Sequence, residues 1–202
     1  MELGMGAGWF EFEHTSYGIP FPELPKRLRA LEEAIRIIKA LFTEDSVDFQ
    51  GDFYELQGAV LEPKTLQSPH PPIVIGASGE KVALRNAARY ADHWNTYAPP
   101  ELFRQKNQVL EEHCADVSRN PEEITRSVMM PLYLDEDDAV LSKVERWGGQ
   151  RDWFLIGSRQ EISEQIEKLV DAGAELVIVQ VDRTGRCAET LERFAEDFLV
   201  AS

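Results

Sequence analysis

The sequence predicts a parallel α/β fold. Three observations carry that reading: short, wholly apolar runs such as Ile73-Val74-Ile75 and Leu176-Val177-Ile178-Val179 recur, each run is followed by a helical apolar pattern, and strand ends carry small residues. A strand apolar on both faces suits a sheet covered by helices on both sides, whereas a half-exposed sheet would alternate apolar with polar. Doubly wound sheets and (β/α)8 barrels both fit such a string, so periodicity alone leaves the two open.

The elements follow in order. A strand over 2–7 runs through Gly4 and Gly6 toward Gly8 and Trp9. The segment 26–42 sets Leu28, Leu31, Ile35, Ile38 and Leu41 at helical spacing, with Arg27, Glu32, Arg36 and Lys39 around the rest of the wheel. Residues 47–56 alternate about Gln50-Gly51-Asp52 and predict a short hairpin outside the main repeat. A proline-rich connector spans 63–72. A strand at 72–79 leads into a helix at 80–91, then a strand at 92–97 into a helix at 101–118. The strand at 126–134 contains Pro131, which lacks a ladder donor. A helix near 138–147 follows it, and Ser158 with Glu161 then forms an S-x-x-E capping box for a helix closed by Gly173. The last strand, 175–181, precedes a final helix at 187–200.

Composition narrows the function. A chain of 202 residues, 43% hydrophobic, can bury the core of one domain over 1–202. Lys plus Arg number 21 against 36 Asp plus Glu, a net charge of −15, so the average field repels nucleic acid and anionic membrane. No apolar run approaches a membrane span and no charged-then-apolar leader opens the chain, which together predict a cytoplasmic protein. Cys114 and Cys187 each fall on an apolar helical stripe and read as buried, reduced thiols.

In a parallel α/β fold the ligand lies at the carboxyl ends of the strands, so the residues just after each strand are the candidates. The first group is Gly76-Ala77-Ser78-Gly79 with Glu80, Lys81 and Val82. Small residues let backbone N–H groups and a helix N-terminus approach an oxyanion; a tight βα turn that needs glycine for its angles is the other reading. The second group, Gly4 to Trp9, fails the G-x-G-x-x-G dinucleotide pattern because its glycines alternate and no helix is expected before Lys26. It leaves a strand end with little bulk, suited either to a flat ring or to close packing beside a neighbouring strand.

Other groups carry less. Glu11, Glu13 and His14 lack the spacing of a metal-ligand set and read as a polar loop, so no metal is expected. His93 lies within a strand and either reaches the mouth of the fold or packs; His70 and His113 read as structural or exposed. Trp147, Trp153 and Phe154 flank Gly148-Gly149, as a core edge or the cover of a pocket.

Four segments in this order resemble the luciferase-like monooxygenase family, in particular its F420-dependent oxidoreductase branch: "LGMGAGWFEFEHTSYGIPFPE", "RLRALEEAIRIIKALFTEDSVDFQGDFYEL", "PHPPIVIGASGEKVALRNAARYADHWN" and "LIGSRQEISEQIEKLVDAGAELVIV". The resemblance covers nearly the whole chain and implies a (β/α)8 barrel that binds reduced FMN or coenzyme F420 at its carboxyl face. It implies hydride transfer to or from a small organic substrate or, with FMN, monooxygenation. Ala7 and Gly8 match family positions near the cofactor ring; Ser78, Gly79, Lys81 and Val82 match the loop that holds the cofactor phosphate. Where the family's sugar-phosphate dehydrogenases place a Glu after their G-x-G, this chain has Trp9, which disfavours that reaction. Trp9, with His93, is expected to wall a substrate pocket instead.

The resemblance also sets the register of the barrel. The strand before Trp9 resembles the fourth of eight, so the expected architecture is an incomplete (β/α)8 TIM barrel, strands four to eight, with a small β-hairpin insertion and without the first three βα units. Catalytic residues stay unassigned, because the family's usual ones sit on the absent units. Strands 2–7 and 175–181 would each carry an unpaired edge, and a homo-oligomer is the expected remedy. The alternative function is a non-catalytic cofactor-binding protein or an inactive truncated fragment.

Overall fold

The computed structural model describes residues 1–134, 151–181 and 187–199. The chain divides into two compact units, Met1–Trp94 with Leu110–Ile124, and Asn95–Val109 with Thr125–Ser202.

In the first unit, β1 (Leu3–Met5) pairs in parallel with β4 (Ile73–Gly76), in the register Leu3 to Ile73 and Met5 to Ile75. Between them in sequence come three further elements. Helix α1 (Glu11–Ser16) is one the sequence reading missed, since it buries none of its residues and leaves no apolar stripe. Helix α2 (Leu24–Thr43) begins two residues earlier than its periodicity indicates, because Pro25 fits the first helical turn. It buries Leu31, Ile35 and Ile37. The hairpin β2 (Val47–Gln50) and β3 (Glu55–Ala59) is antiparallel, as its alternation indicates. Its turn is held by a side chain of α2: the Glu33 carboxylate accepts from the N–H groups of Asp52, Phe53 and Tyr54 at 2.8, 3.0 and 3.2 Å.

After β4, residues 80–82 turn before α3 (Ala83–Tyr90), and β5 (His93–Thr96) follows. The core of this unit gathers Ile73, Ile75, Leu84, Ala87 and Trp94 with Leu110 and Cys114 of α4 (Pro100–Asp116). Cys114 is a free, buried thiol, in keeping with its place on an apolar stripe.

The second unit is built around β6 (Thr125–Tyr133). It pairs in parallel with β8 (Leu176–Val181) from Ser127 to Leu132, and the register runs unbroken through Pro131. A two-residue strand β7 (Leu155–Ile156), too short to leave a pattern in sequence, pairs with the end of β6. Helix α5 (Arg159–Asp171) has the capping box read from Ser158 and Glu161, with both hydrogen bonds in place. Helix α6 (Cys187–Phe198) ends the unit. The expected helix at 138–147, with Trp147, Gly148 and Gly149, lies outside the described residues.

The pairs β1–β4, β6–β7 and β6–β8 are parallel, and the hairpin is antiparallel. Among the described residues β1 pairs only with β4, and β8 only with β6, and Leu176 and Ile178 of β8 are exposed.

Candidate functional site

The β1–β4 register brings the two small-residue segments to one edge. Because Met5 lies opposite Ile75, the chain leaves β1 at Gly6 beside Gly76, where β4 ends. A Cβ on Gly6 would lie 4.0 Å from the Gly76 carbonyl, and one on Gly76 would lie 3.9 Å from the Met5 carbonyl. No side chain stands between the two strand tips.

The loop 77–82 presents its backbone in a particular sense. The buried Trp94 indole donates to the Ala77 carbonyl at 2.8 Å, the Leu84 N–H donates to the Gly79 carbonyl at 3.0 Å, and His113 Nε2 lies 2.8 Å from the Glu80 carbonyl. The Asn86 N–H donates to the Val82 carbonyl at 2.9 Å, so four carbonyls of the loop are held by the protein. Among the described residues, the N–H groups of Gly79, Lys81 and Val82 donate no hydrogen bond. They sit at the amino end of α3, where the helix dipole adds positive potential. Ser78, Gly79, Lys81 and Val82 are all exposed. A Cβ on Gly79 would meet only the Ala83 Cβ, at 3.8 Å, so that position is open in front of the loop rather than forced to glycine by its neighbours.

The segment after β1 is fixed by groups that sequence reasoning did not single out. Gly8 has a φ of +74°, which favours glycine. Its carbonyl accepts from Arg27 of α2 at 2.9 Å, and a Cβ there would come within 3.0 Å of the His14 imidazole. The Arg27 guanidinium lies 3.7 Å from the Phe21 ring centroid, and Phe21 meets His14 edge-on. His14 therefore stands beside Gly8, although its spacing with Glu11 and Glu13 indicated only a polar loop. Ala7 is half-buried, while Trp9 is 85% exposed and stacks on Phe10 with centroids 5.2 Å apart.

His93 is placed apart from these groups. It is the first residue of β5, 4% exposed, with Nδ1 3.5 Å from the carboxylate of Glu2, the residue before β1. The carboxyl-edge groups lie at the other end of the same strands. The reason is register: the Asp92 N–H bonds to Ile73, the first residue of β4, so His93 falls at the amino edge.

In the second unit, a cavity of about 250 Å³ is lined by Pro100, Arg151, Asp152, Phe154, Gln165 and Lys168. Phe154, read from sequence as a core edge or the cover of a pocket, lines it, but none of the residues predicted to hold cofactor or substrate does, and two of its polar side chains are already engaged: Arg151 with Glu161, and Gln165 with both backbone groups of Ile156. Trp153 and Phe154 lie at the edge of a small core with Tyr133 and Ile156. Among the described residues no cluster of His, Cys, Asp or Glu could hold a metal ion, and no helix is long and apolar enough to cross a membrane.

The family model for luciferase-like monooxygenases matches residues 1–151. The chain is 28% identical over 213 residues to the FMNH2-dependent dimethylsulfone monooxygenase of Pseudomonas putida, covering 85% of this chain and 58% of that protein. It is 30% identical over 188 residues to the F420-dependent glucose-6-phosphate dehydrogenase of Amycolatopsis mediterranei, covering 89% of this chain and 53% of that protein. The chain thus spans a little over half the length of these relatives. Among solved structures, an F420-dependent secondary alcohol dehydrogenase in complex with an F420-acetone adduct superposes with a TM-score of 0.78 at 20% identity, over 89% of this chain and 63% of that one. A monooxygenase from Streptomyces bottropensis gives 0.75 at 19% identity, over 98% and 68%. These likenesses show a shared α/β fold, and with the family match they establish that the chain belongs to the luciferase-like monooxygenases.

Proposed function

We propose that the chain forms strands four to eight of a luciferase-like (β/α)8 barrel and binds reduced FMN or F420 at the β1–β4 carboxyl edge. In this reading β1, β4, β5, β6 and β8 are the barrel strands and the β2–β3 hairpin is an insertion. The observation that supports it most is the orientation of the loop 77–82, whose carbonyls are tied down and whose Gly79, Lys81 and Val82 N–H groups are unengaged. Such donors suit a phosphate, and the bare Gly6–Gly76 surface suits a flat ring. Reduced FMN or F420, when bound, supplies a hydride, or in the case of FMN the means to activate oxygen.

This chain's own residues do the holding. The amides of 79–82, with Ser78 and the Lys81 ammonium, take the cofactor's phosphate; Ala7 and Gly8 give a low wall for the ring, stiffened by Arg27 on the Gly8 carbonyl. Trp9 borders the substrate, a small organic molecule. The activity is that of an oxidoreductase, by hydride transfer or oxygenation. A second reading, cofactor binding without catalysis, draws on one observation: no titratable side chain occurs among Gly6, Ala7, Gly8 and Trp9, where the family's sugar-phosphate dehydrogenases carry a Glu. The edges of β1 and β8 that lack strand partners among the described residues support self-association of the chain.

Titration with FMN and F420 under reducing, anaerobic conditions, followed by fluorescence, tests the proposal. Saturable binding of one cofactor, lost on replacing Gly79 with valine, is expected. Binding of neither would overturn it, and binding without any change of cofactor absorbance across candidate substrates would select the second reading.

A further inference from the structure

We infer that His113 is a positioning residue for the 77–82 loop, setting the direction in which that loop offers its amides to the cofactor phosphate; this rests on the function proposed above. His113 lies near the carboxyl end of α4, more than thirty positions from the loop, and its sequence context marks it only as structural or exposed. Its Nε2 is 2.8 Å from the Glu80 carbonyl oxygen. A carbonyl only accepts, so the imidazole carries its proton on Nε2 and donates it there.

The consequence follows from peptide geometry. In a trans peptide the C=O of one residue and the N–H of the next point in opposite directions. Fixing the Glu80 carbonyl toward α4 therefore turns the Lys81 N–H away from α4, and that N–H has no partner among the described residues. Trp94 fixes the Ala77 carbonyl at the start of the same loop. The loop is pinned at both ends by side chains, and Lys81 and Val82 lie in its second half, where His113 is the anchor. Without the imidazole, the Glu80–Lys81 peptide loses this anchor while the flanking Gly79 and Val82 carbonyls stay bonded to the Leu84 and Asn86 N–H groups, so its orientation is less fixed and a cofactor phosphate must order it on binding.

The imidazole Nδ1 is buried with no hydrogen-bond partner among the described residues, 3.9 Å from the Asp116 carboxylate on the same helix. His113 does not belong to the loop, so its effect is indirect and specific to the phosphate.

That specificity gives the test. Affinities of wild type, His113→Ala, His113→Phe and His113→Gln are measured for FMN against riboflavin, and for F420 against its phosphate-free deazaflavin nucleoside. Wild type should prefer the phosphate-bearing form. His113→Ala and His113→Phe, which lack a donor, should lose about tenfold in affinity for it, on the scale of one hydrogen bond to a charged group. Their affinity for the phosphate-free form should be unchanged. His113→Gln, which keeps an N–H donor, should retain the preference to within about threefold, on the scale of one neutral hydrogen bond. A purely structural role would lower both affinities together, and an unaltered preference in either folded donor-less variant would overturn the inference. Wild-type protein that binds both forms equally would instead overturn the phosphate-loop reading itself and with it the role of His113.

Discussion

The two ends of β1 and β4 are built on opposite principles. At the amino edge, polar groups are used up on one another: the Leu3 N–H bonds to the Pro72 carbonyl at 2.9 Å, the Ile73 N–H to Asp92 at 2.8 Å, the Asp92 N–H to the Ile73 carbonyl at 2.9 Å, and His93 faces Glu2. At the carboxyl edge, carbonyls are tied down while N–H groups stay unengaged and side chains are absent or small. Closure of the first edge stabilises the unit, and openness of the second leaves its N–H groups facing solvent, where the proposed cofactor would meet them. Residues at the first edge should therefore govern folding, and residues at the second, binding.

The strongest way to break this contrast is Gly79→Val. The site has room for a Cβ, so thermal stability should change little, while the added bulk at the residue that carries one of the amides should hinder a phosphate's approach. Loss of one or two charge-assisted hydrogen bonds corresponds to about 10- to 100-fold weaker binding of FMN or F420, measured by fluorescence titration. A large drop in melting temperature would show instead that the glycine serves the turn.

Asp92→Ala is the complementary change at the amino edge. It strands the Ile73 N–H, at a cost of about 1–3 kcal/mol in denaturant unfolding. Cofactor affinity of the folded protein should be unaltered. Trp94→Phe lies between the two, since it keeps most of the buried ring but removes the donor to Ala77. It should cost about 1–3 kcal/mol, the penalty for an orphaned buried group, and weaken phosphate binding as well.

The smallest expected effect lies away from both edges, in the hairpin turn. Burial alone would raise the Glu33 carboxyl, but the three N–H groups of Asp52, Phe53 and Tyr54, with Arg36, outweigh it and hold its pKa below the ordinary value. A carboxylate lowered on folding contributes stability above its unfolded pKa and loses it as pH falls through the folded one. The wild-type melting temperature should thus fall more steeply than that of Glu33→Gln below about pH 4.3, the unperturbed glutamate value. Parallel curves would show that the turn does not depend on that charge.

Legibility in the sequence follows the same physics. Elements that bury a periodic face were readable: α2 through Leu31 and Ile35, β4 through Ile73 and Ile75, and α5 through the Ser158–Glu161 box. Helix α1 was not, because it buries nothing, and β7 was too short to show a period. In the candidate site, backbone donors were foreseeable from Gly76 to Val82, since small residues and a helix start suffice to indicate them. The side chains that orient them were not. Trp94 and His113 reach the loop across 17 and 33 positions of sequence, and Arg27 reaches Gly8 across 19, contacts set by packing and not by local pattern. His93 shows the reverse: a strand residue's edge depends on register, which its own sequence neighbours do not encode.

Backbone amide NMR during titration addresses the contrast between the two edges most directly. On adding FMN or F420, the Lys81 and Val82 N–H resonances should move downfield to saturation, riboflavin should leave them in place, and the amides of Leu3, Ile73 and Asp92 should stay unperturbed. Perturbations centred on Leu3, Ile73 and Asp92, with the 79–82 amides unmoved, would contradict the account.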